Sequence, residues 1–346
     1  MQRILIIKLG AVGDLIHSLP VLGTLRACFP NAHLSWAVEE KAAPVLEGNR
    51  DLDELILLDR KKMSEGFGFF YFKRRLQEIR RKSFDVVLDL HNLLKTGIIA
   101  YASGAPIRVG FRKLREGNFI FMNRRVKPAA RHRHAVEKYL SLLEPLGIQE
   151  PQWVVRFPLV WNSQDEDWIE RFWTQQGFGR GGLKQETVVA VNPGAHWPSK
   201  RWMPERYAQV ADRLVKEHGI RILILWGPGE RPLAESIAQA MSEKSVIAPE
   251  TTLKQLMALI KRCRLLITGD TGPLHMAAAL EIPTVSLFGP SDPVRNGPSG
   301  PGHEIVCSPI PPATHWQKKE IGDHWMMAIP VEGVVEAARK QLGRMM

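Results

Sequence analysis

The chain has 346 residues, with 47 Lys and Arg against 36 Asp and Glu, a formal net charge of +11. Hydrophobic residues make up 45% and charged residues 24%, a globular composition that excludes a mainly disordered chain. Three scattered cysteines (Cys28, Cys263, Cys307) exclude a disulfide framework or a cysteine-rich metal site, and no apolar run approaches the ~18 residues of a membrane-spanning helix.

At roughly 150 residues per domain the length predicts two domains. Arg3-Ile4-Leu5-Ile6-Ile7 reads as a buried strand. Lys8 interrupts it too early for the core of a signal peptide, so a cytosolic protein is expected. Gly10-Ala11-Val12-Gly13-Asp14 then opens a helix of about 13 residues, taking the run's length as the guide. Residues 34–38, 55–58 and 85–89 read as further strands, and a helix is expected from His134 through Leu143, ending near Gly147. The second half repeats the alternation. Strands are predicted at 187–191, 221–226, 265–268 and 284–288, with a helix from Pro204 to about Glu217. Short apolar strands separated by helical lengths mean parallel sheets, so we expect an α/β chain of two doubly wound domains facing one cleft, divided as 1–170 and 171–346.

Charge is uneven. Between Lys61 and Arg133 stand 18 Lys and Arg against five acids, a net +13 that exceeds the charge of the whole chain. Such a block seeks an anionic partner. Within it, Gly66-Phe67-Gly68-Phe69-Phe70-Tyr71-Phe72 precedes Lys73-Arg74-Arg75, a pattern that fits a lipid headgroup boundary, single-stranded bases, or the buried start of an amphipathic helix. No nucleic-acid module accompanies it, so anionic lipid or glycolipid is expected rather than nucleic acid.

Three loops at strand ends carry candidate chemistry. Lys8-Leu9-Gly10-Ala11-Val12-Gly13-Asp14 lacks both the dinucleotide fingerprint and the P-loop pattern. Asp14 is either a helix cap, worth about 1 kcal/mol, or a general base for a sugar hydroxyl. Asn192-Pro193-Gly194-Ala195-His196-Trp197-Pro198-Ser199-Lys200-Arg201-Trp202 sets cations where a diphosphate could bind. Thr268-Gly269-Asp270-Thr271-Gly272-Pro273-Leu274-His275 turns into a helix whose first N–H groups (Thr271, Gly272, Leu274) suit phosphate oxygens. His132-Arg133-His134 has poor spacing for a metal, and none is expected.

Taken with Trp36-Ala37-Val38-Glu39-Glu40 and Phe288-Gly289-Pro290-Ser291-Asp292, these motifs resemble the lipopolysaccharide heptosyltransferases of glycosyltransferase family 9, end to end. The resemblance implies a GT-B fold and a metal-independent, inverting transfer from ADP-heptose (ADP-L-glycero-D-manno-heptose) to a Kdo-bearing lipid A, without a cofactor. It implies donor binding by the C-terminal domain and acceptor binding by the N-terminal one. Asp14 resembles the general base and Lys200 the lysine that neutralises the departing diphosphate. Glu230 resembles the residue holding the adenosine ribose, and Asp270, Thr271, Gly272, Leu274 and His275 resemble donor-binding positions. The donor side is also expected to take in Ala195, His196 and Thr251. On the acceptor side stand Gly13, Lys61, Arg112, Arg115 and Arg124. Asp270-Thr271-Gly272 and Trp36-Ala37-Val38-Glu39-Glu40 look like the first-heptose branch, whereas Asn192-Pro193-Gly194-Ala195 and Lys200-Arg201-Trp202 look like the second-heptose branch. The expectation is therefore heptosyltransferase I, a monomer peripheral on the cytoplasmic face of the inner membrane, with heptosyltransferase II or a later-heptose relative as alternative. From a different class, the rival is a non-catalytic basic protein that binds lipid or nucleic acid.

Overall fold

A computed structural model describes residues 2–64, 68–112, 116–178, 187–313 and 322–343. The chain forms two compact units, Met1–Val160 and Trp161–Met346. The helix Ser163–Gln175, which a division at 170/171 would cut, packs on the helix Leu253–Lys261 of the second unit. Arg262 ties it there through Glu166 and Glu170, at 2.6 Å each.

The first unit is built on a six-stranded sheet of β1 (Arg3–Ile7), β2 (His33–Glu39), β3 (Glu54–Leu58), β4 (Val86–Asp89), β5 (Ile107–Phe111) and β6 (Arg124–Val126). Their order is β3-β2-β1-β4-β5-β6, with every pairing parallel. The second unit holds β7 (Val188–Asn192), β8 (Arg221–Ile224), β9 (Ser245–Ile247), β10 (Leu265–Gly269), β11 (Thr284–Phe288) and β12 (His303–Cys307). Its order, β12-β11-β10-β7-β8-β9, is the same winding seen from the other edge, again all parallel. Both sheets thus reverse direction beside their first strand, between β1 and β4 and between β7 and β10. In doubly wound sheets that is where ligands bind, at the carboxyl ends of the strands.

The central strands explain why they were readable. Ile4 to Ile7 and Val188 to Val191 are buried almost completely, as parallel strands covered on both faces must be. The strands that the sequence did not announce (β5, β6, β9, β12) are edge or next-to-edge strands of three to five residues with mixed polarity.

Two helices depart from expectation. The first runs Val12–Cys28, 17 residues, continuing through a buried Pro20. The helix after His134 stops at Leu140 and tightens into a 3₁₀ turn, Ser141–Leu146, because Pro145 cannot continue an α-helical ladder. Elsewhere the punctuation reads as written. Pro204 opens the helix Pro204–His218, and Gly219 ends it in the left-handed conformation at φ 62°.

Candidate active site

At the first switch point Asp14 is not a cap. The helix N-cap is Ala11, with no side-chain bond, and Asp14 stands inside the first turn, its side chain 48% exposed. One oxygen lies 3.3 Å from the Lys8 ammonium and the other accepts from the Tyr139 hydroxyl at 3.3 Å. Lys8 is buried, donates to that same hydroxyl at 2.7 Å and lies over the tyrosine ring. Burial pushes the Lys8 ammonium down, but Tyr139 and Asp14 outweigh it and hold it above its ordinary value. The result is a half-exposed carboxylate resting on a buried, permanent cation.

Beside it, β4 ends in the buried Asp89. Its carboxylate accepts from the His91 and Asn92 N–H groups, the Thr96 hydroxyl and the Asn118 amide. Burial pushes this carboxyl above its usual range despite those donors. Asp89 therefore fixes the turn after β4 rather than facing solvent.

At the second switch point Asn192, the last residue of β7, reaches across to β10 and donates to the Thr268 hydroxyl at 3.0 Å. The next turn carries Asp270, whose side chain is 9% exposed. Its Oδ2 lies 2.6 Å from the Lys200 ammonium and its Oδ1 3.5 Å from His275 Nε2. Burial opposes ionisation, but His275 and Lys200 hold this carboxyl well below the usual carboxylate range. Asp270 is thus a fixed anion that positions a lysine. An ammonium has three donors, so Lys200 keeps capacity for another oxygen. Immediately afterwards the helix Gly272–Ala279 begins behind an extended Thr271. By helix geometry the N–H groups of Thr271, Gly272 and Leu274 have no acceptor within the helix. Leu274 is itself wholly buried.

Glu230 joins the loops after β7 and β8. It accepts from the Gly227 N–H at 3.1 Å and lies 3.6 Å from Arg201, which in turn donates to the Ala195 carbonyl at 2.9 Å. Gly194 is a glycine for space: a Cβ there would land on the Glu230 carboxylate.

A family model described as glycosyltransferase family 9 (heptosyltransferase) matches residues 72–326, well over half of the chain. The chain belongs to glycosyltransferase family 9. It is a transferase of sugars with the two-domain α/β fold of GT-B enzymes. The lipopolysaccharide core heptosyltransferase OpsX of Haemophilus influenzae is 26% identical over 98% of this chain and 96% of its own. Lipopolysaccharide heptosyltransferase 2 of Escherichia coli K12 is 28% identical (84% of each chain), and heptosyltransferase 1 of Pseudomonas aeruginosa 27% (89% and 86%). The crystal structure of the family 9 glycosyl transferase from Veillonella parvula superposes with a TM-score of 0.87 at 28% identity, covering 99% of this chain and 98% of that one.

Within this family 9 chain, the remaining expected residues spread along the strand ends. Gly13 is in the first turn beside Asp14, and Lys61 and Arg112 are exposed just beyond β3 and β5. Arg124 is exposed at the start of β6, the opposite end of its strand. Arg115 lies outside the described residues. Ala195 is buried, His196 is exposed against Trp197, and Thr251 is half-buried in the loop after β9, two strands from β7. Lys8, Tyr139 and Asp89 were given no role from sequence. Lys8 stood in a quoted motif, but Tyr139 is 131 residues away from it.

Proposed function

We propose that the chain transfers heptose from ADP-heptose to the Kdo–lipid A inner core of lipopolysaccharide, adding the first heptose with inversion. In this reading it works as a monomer on the cytoplasmic face of the inner membrane. The observation that carries the reading is the Lys200 ammonium, held by Asp270 at the entry of the helix Gly272–Ala279. A lysine beside a helix N-terminus at a switch point suits a diphosphate. Glu230, beyond the second strand of the same sheet, stands where an acid accepts from a nucleotide ribose in doubly wound folds.

The reaction then proceeds in one displacement. The acceptor hydroxyl gives its proton to Asp14, and its oxygen forms the bond to the heptose anomeric carbon. The bond from that carbon to the diphosphate oxygen breaks, and its electron pair leaves with ADP. Lys200 and the helix N–H groups stabilise the charge that develops there. First-heptose addition is favoured by Asp270-Thr271-Gly272 and by a basic block suited to an acidic Kdo acceptor. The second-heptose reading rests on Asn192-Pro193-Gly194-Ala195 and Lys200-Arg201-Trp202.

Purified protein given ADP-heptose and Kdo–lipid A should release ADP and add one heptose mass. Release only with a glycolipid that already carries one heptose would move the assignment to the second step. Release with neither would end the heptosyl reading.

Gly194→Ala tests the nucleotide side. The added methyl group must displace the Glu230 carboxylate from Gly227 and Arg201, and that carboxylate is the flexible end of its side chain. We expect ADP affinity measured by calorimetry to fall roughly tenfold, the size of one lost hydrogen bond to a charged group, with the melting temperature little changed.

A further inference from the structure

The four large apolar side chains that are more than 60% exposed among the described residues all belong to one helix layer. They are Phe69 (72%), Phe70 (67%), Tyr101 (63%) and Ile120 (61%). The layer consists of the helices Gly68–Arg81 and Leu94–Ala102 and the turn Asn118–Phe121, each packed on the next. Its inner side covers the first sheet through Phe72, Leu76 and Ile79, spaced i, i+4, i+7, together with Ile99, Ala100 and Phe121. Tyr71 is taken up as well, its hydroxyl accepting from the Asp59 N–H at 2.9 Å. Phe67 of the aromatic run lies outside the described residues.

The outer stripe of the first helix follows from that phase. After Phe69 and Phe70 it presents Lys73 and Arg74, then Gln77, then Arg80 and Arg81, all exposed. An open groove between this helix and the next is lined by Lys73, Arg80, Tyr101 and Arg108, with the Arg108 guanidinium over the Tyr101 ring. Single exposed apolar side chains are ordinary on protein surfaces. Concentration of the most exposed ones on one layer, interleaved with cations, is not.

We propose that this outer face docks on an anionic phospholipid bilayer. Phe69, Phe70, Tyr101 and Ile120 enter the headgroup boundary, and Lys73, Arg74, Arg80 and Arg81 meet lipid phosphates. Charge complementarity selects this occupant: a second copy of the chain would oppose the same four cations to one another. The inference deepens the reading of the acceptor as a membrane glycolipid, but its test needs neither sugar.

The full chain is sedimented with vesicles of phosphatidylcholine alone and of phosphatidylcholine with phosphatidylglycerol, without donor or glycolipid. Wild type should bind the anionic vesicles in preference, and binding should weaken as salt rises. Phe69→Ser/Phe70→Ser should lower the partition coefficient roughly tenfold or more by removing two inserted rings. Lys73→Glu/Arg74→Glu should do so to a similar extent at low salt. Both variants should keep wild-type ADP affinity, which shows that they are folded. Equal binding of wild type and variants, equal binding to neutral and anionic vesicles, or self-association that the Phe pair abolishes without any vesicle binding would each overturn the proposal. A chain that binds vesicles as described but transfers no heptose would refute the proposed reaction and leave this surface intact.

Discussion

Asp14→Asn should lower turnover by roughly 10²–10⁴-fold, the range for a positioned general base, while ADP still binds with wild-type affinity. The amide keeps the shape of the side chain and its contact with Tyr139 but cannot take the acceptor proton. The surroundings of Asp14 sharpen the expectation. Lys8 is held above its ordinary lysine value, so it stays charged through the neutral range and gives Asp14 a constant counter-ion there. Because the raised group is the cation, its own contribution is fully present at neutral pH and is lost as pH rises through the lysine's raised value. Lys8→Met removes that cation and leaves the carboxylate and the tyrosine hydroxyl without it. Its expected phenotype is a reduced kcat with unchanged ADP affinity, since Lys8 acts through Asp14 rather than on the donor. Wild-type turnover in Asp14→Asn would remove the carboxylate from the chemistry, and weakened ADP binding in Lys8→Met would show that the buried cation serves the fold more broadly.

Much of the scaffold was legible because fully covered parallel strands are written as unbroken apolar runs. Arg3–Ile7 and the 265–268 run could be read without any neighbour to compare. The edge strands were not legible for the same reason inverted. His303–Cys307 is half exposed, and Ser245–Ile247 has only three residues, too few for an alternating pattern. At the sites, what could be read was what lies next to a strand end in the chain: Asp14 after β1, Asp270-Thr271-Gly272 after β10. What could not be read was pairing across the chain. Nothing around Tyr139 announces that its hydroxyl meets both Lys8 and Asp14, because that contact exists only once the helix Ala135–Leu140 packs against Val12–Cys28. Asp89 is similar: its sequence setting is an ordinary strand end, and its four donors come from three separate places. The aromatic run is an intermediate case. A lipid boundary, single-stranded bases and a buried helix start were open alternatives for the run as a block, yet the spacing of Phe72, Leu76 and Ile79 already fixes which face turns inward, and Phe69 and Phe70 fall on the other.

Lys200→Ala should be the most damaging change on the donor side, reducing kcat by roughly 10²–10³-fold as for a lost transition-state donor and weakening ADP by an order of magnitude or more. The structure gives the reason that one truncation does harm twice. Lys200 is the partner of Asp270, and that carboxylate sits almost buried where the helix Gly272–Ala279 begins. Remove the ammonium and the diphosphate loses a cation and meets an anion. A second substitution should relieve part of the loss. Asp270→Asn in the Lys200→Ala background should restore part of the ADP affinity by removing the anion, while leaving kcat low because no cation has returned. Calorimetry with ADP on the two single variants and the double separates the terms. If the double variant binds ADP no better than Lys200→Ala alone, Asp270 does not face the phosphates, and if Lys200→Ala binds ADP as wild type does, the lysine is not the diphosphate's partner at all.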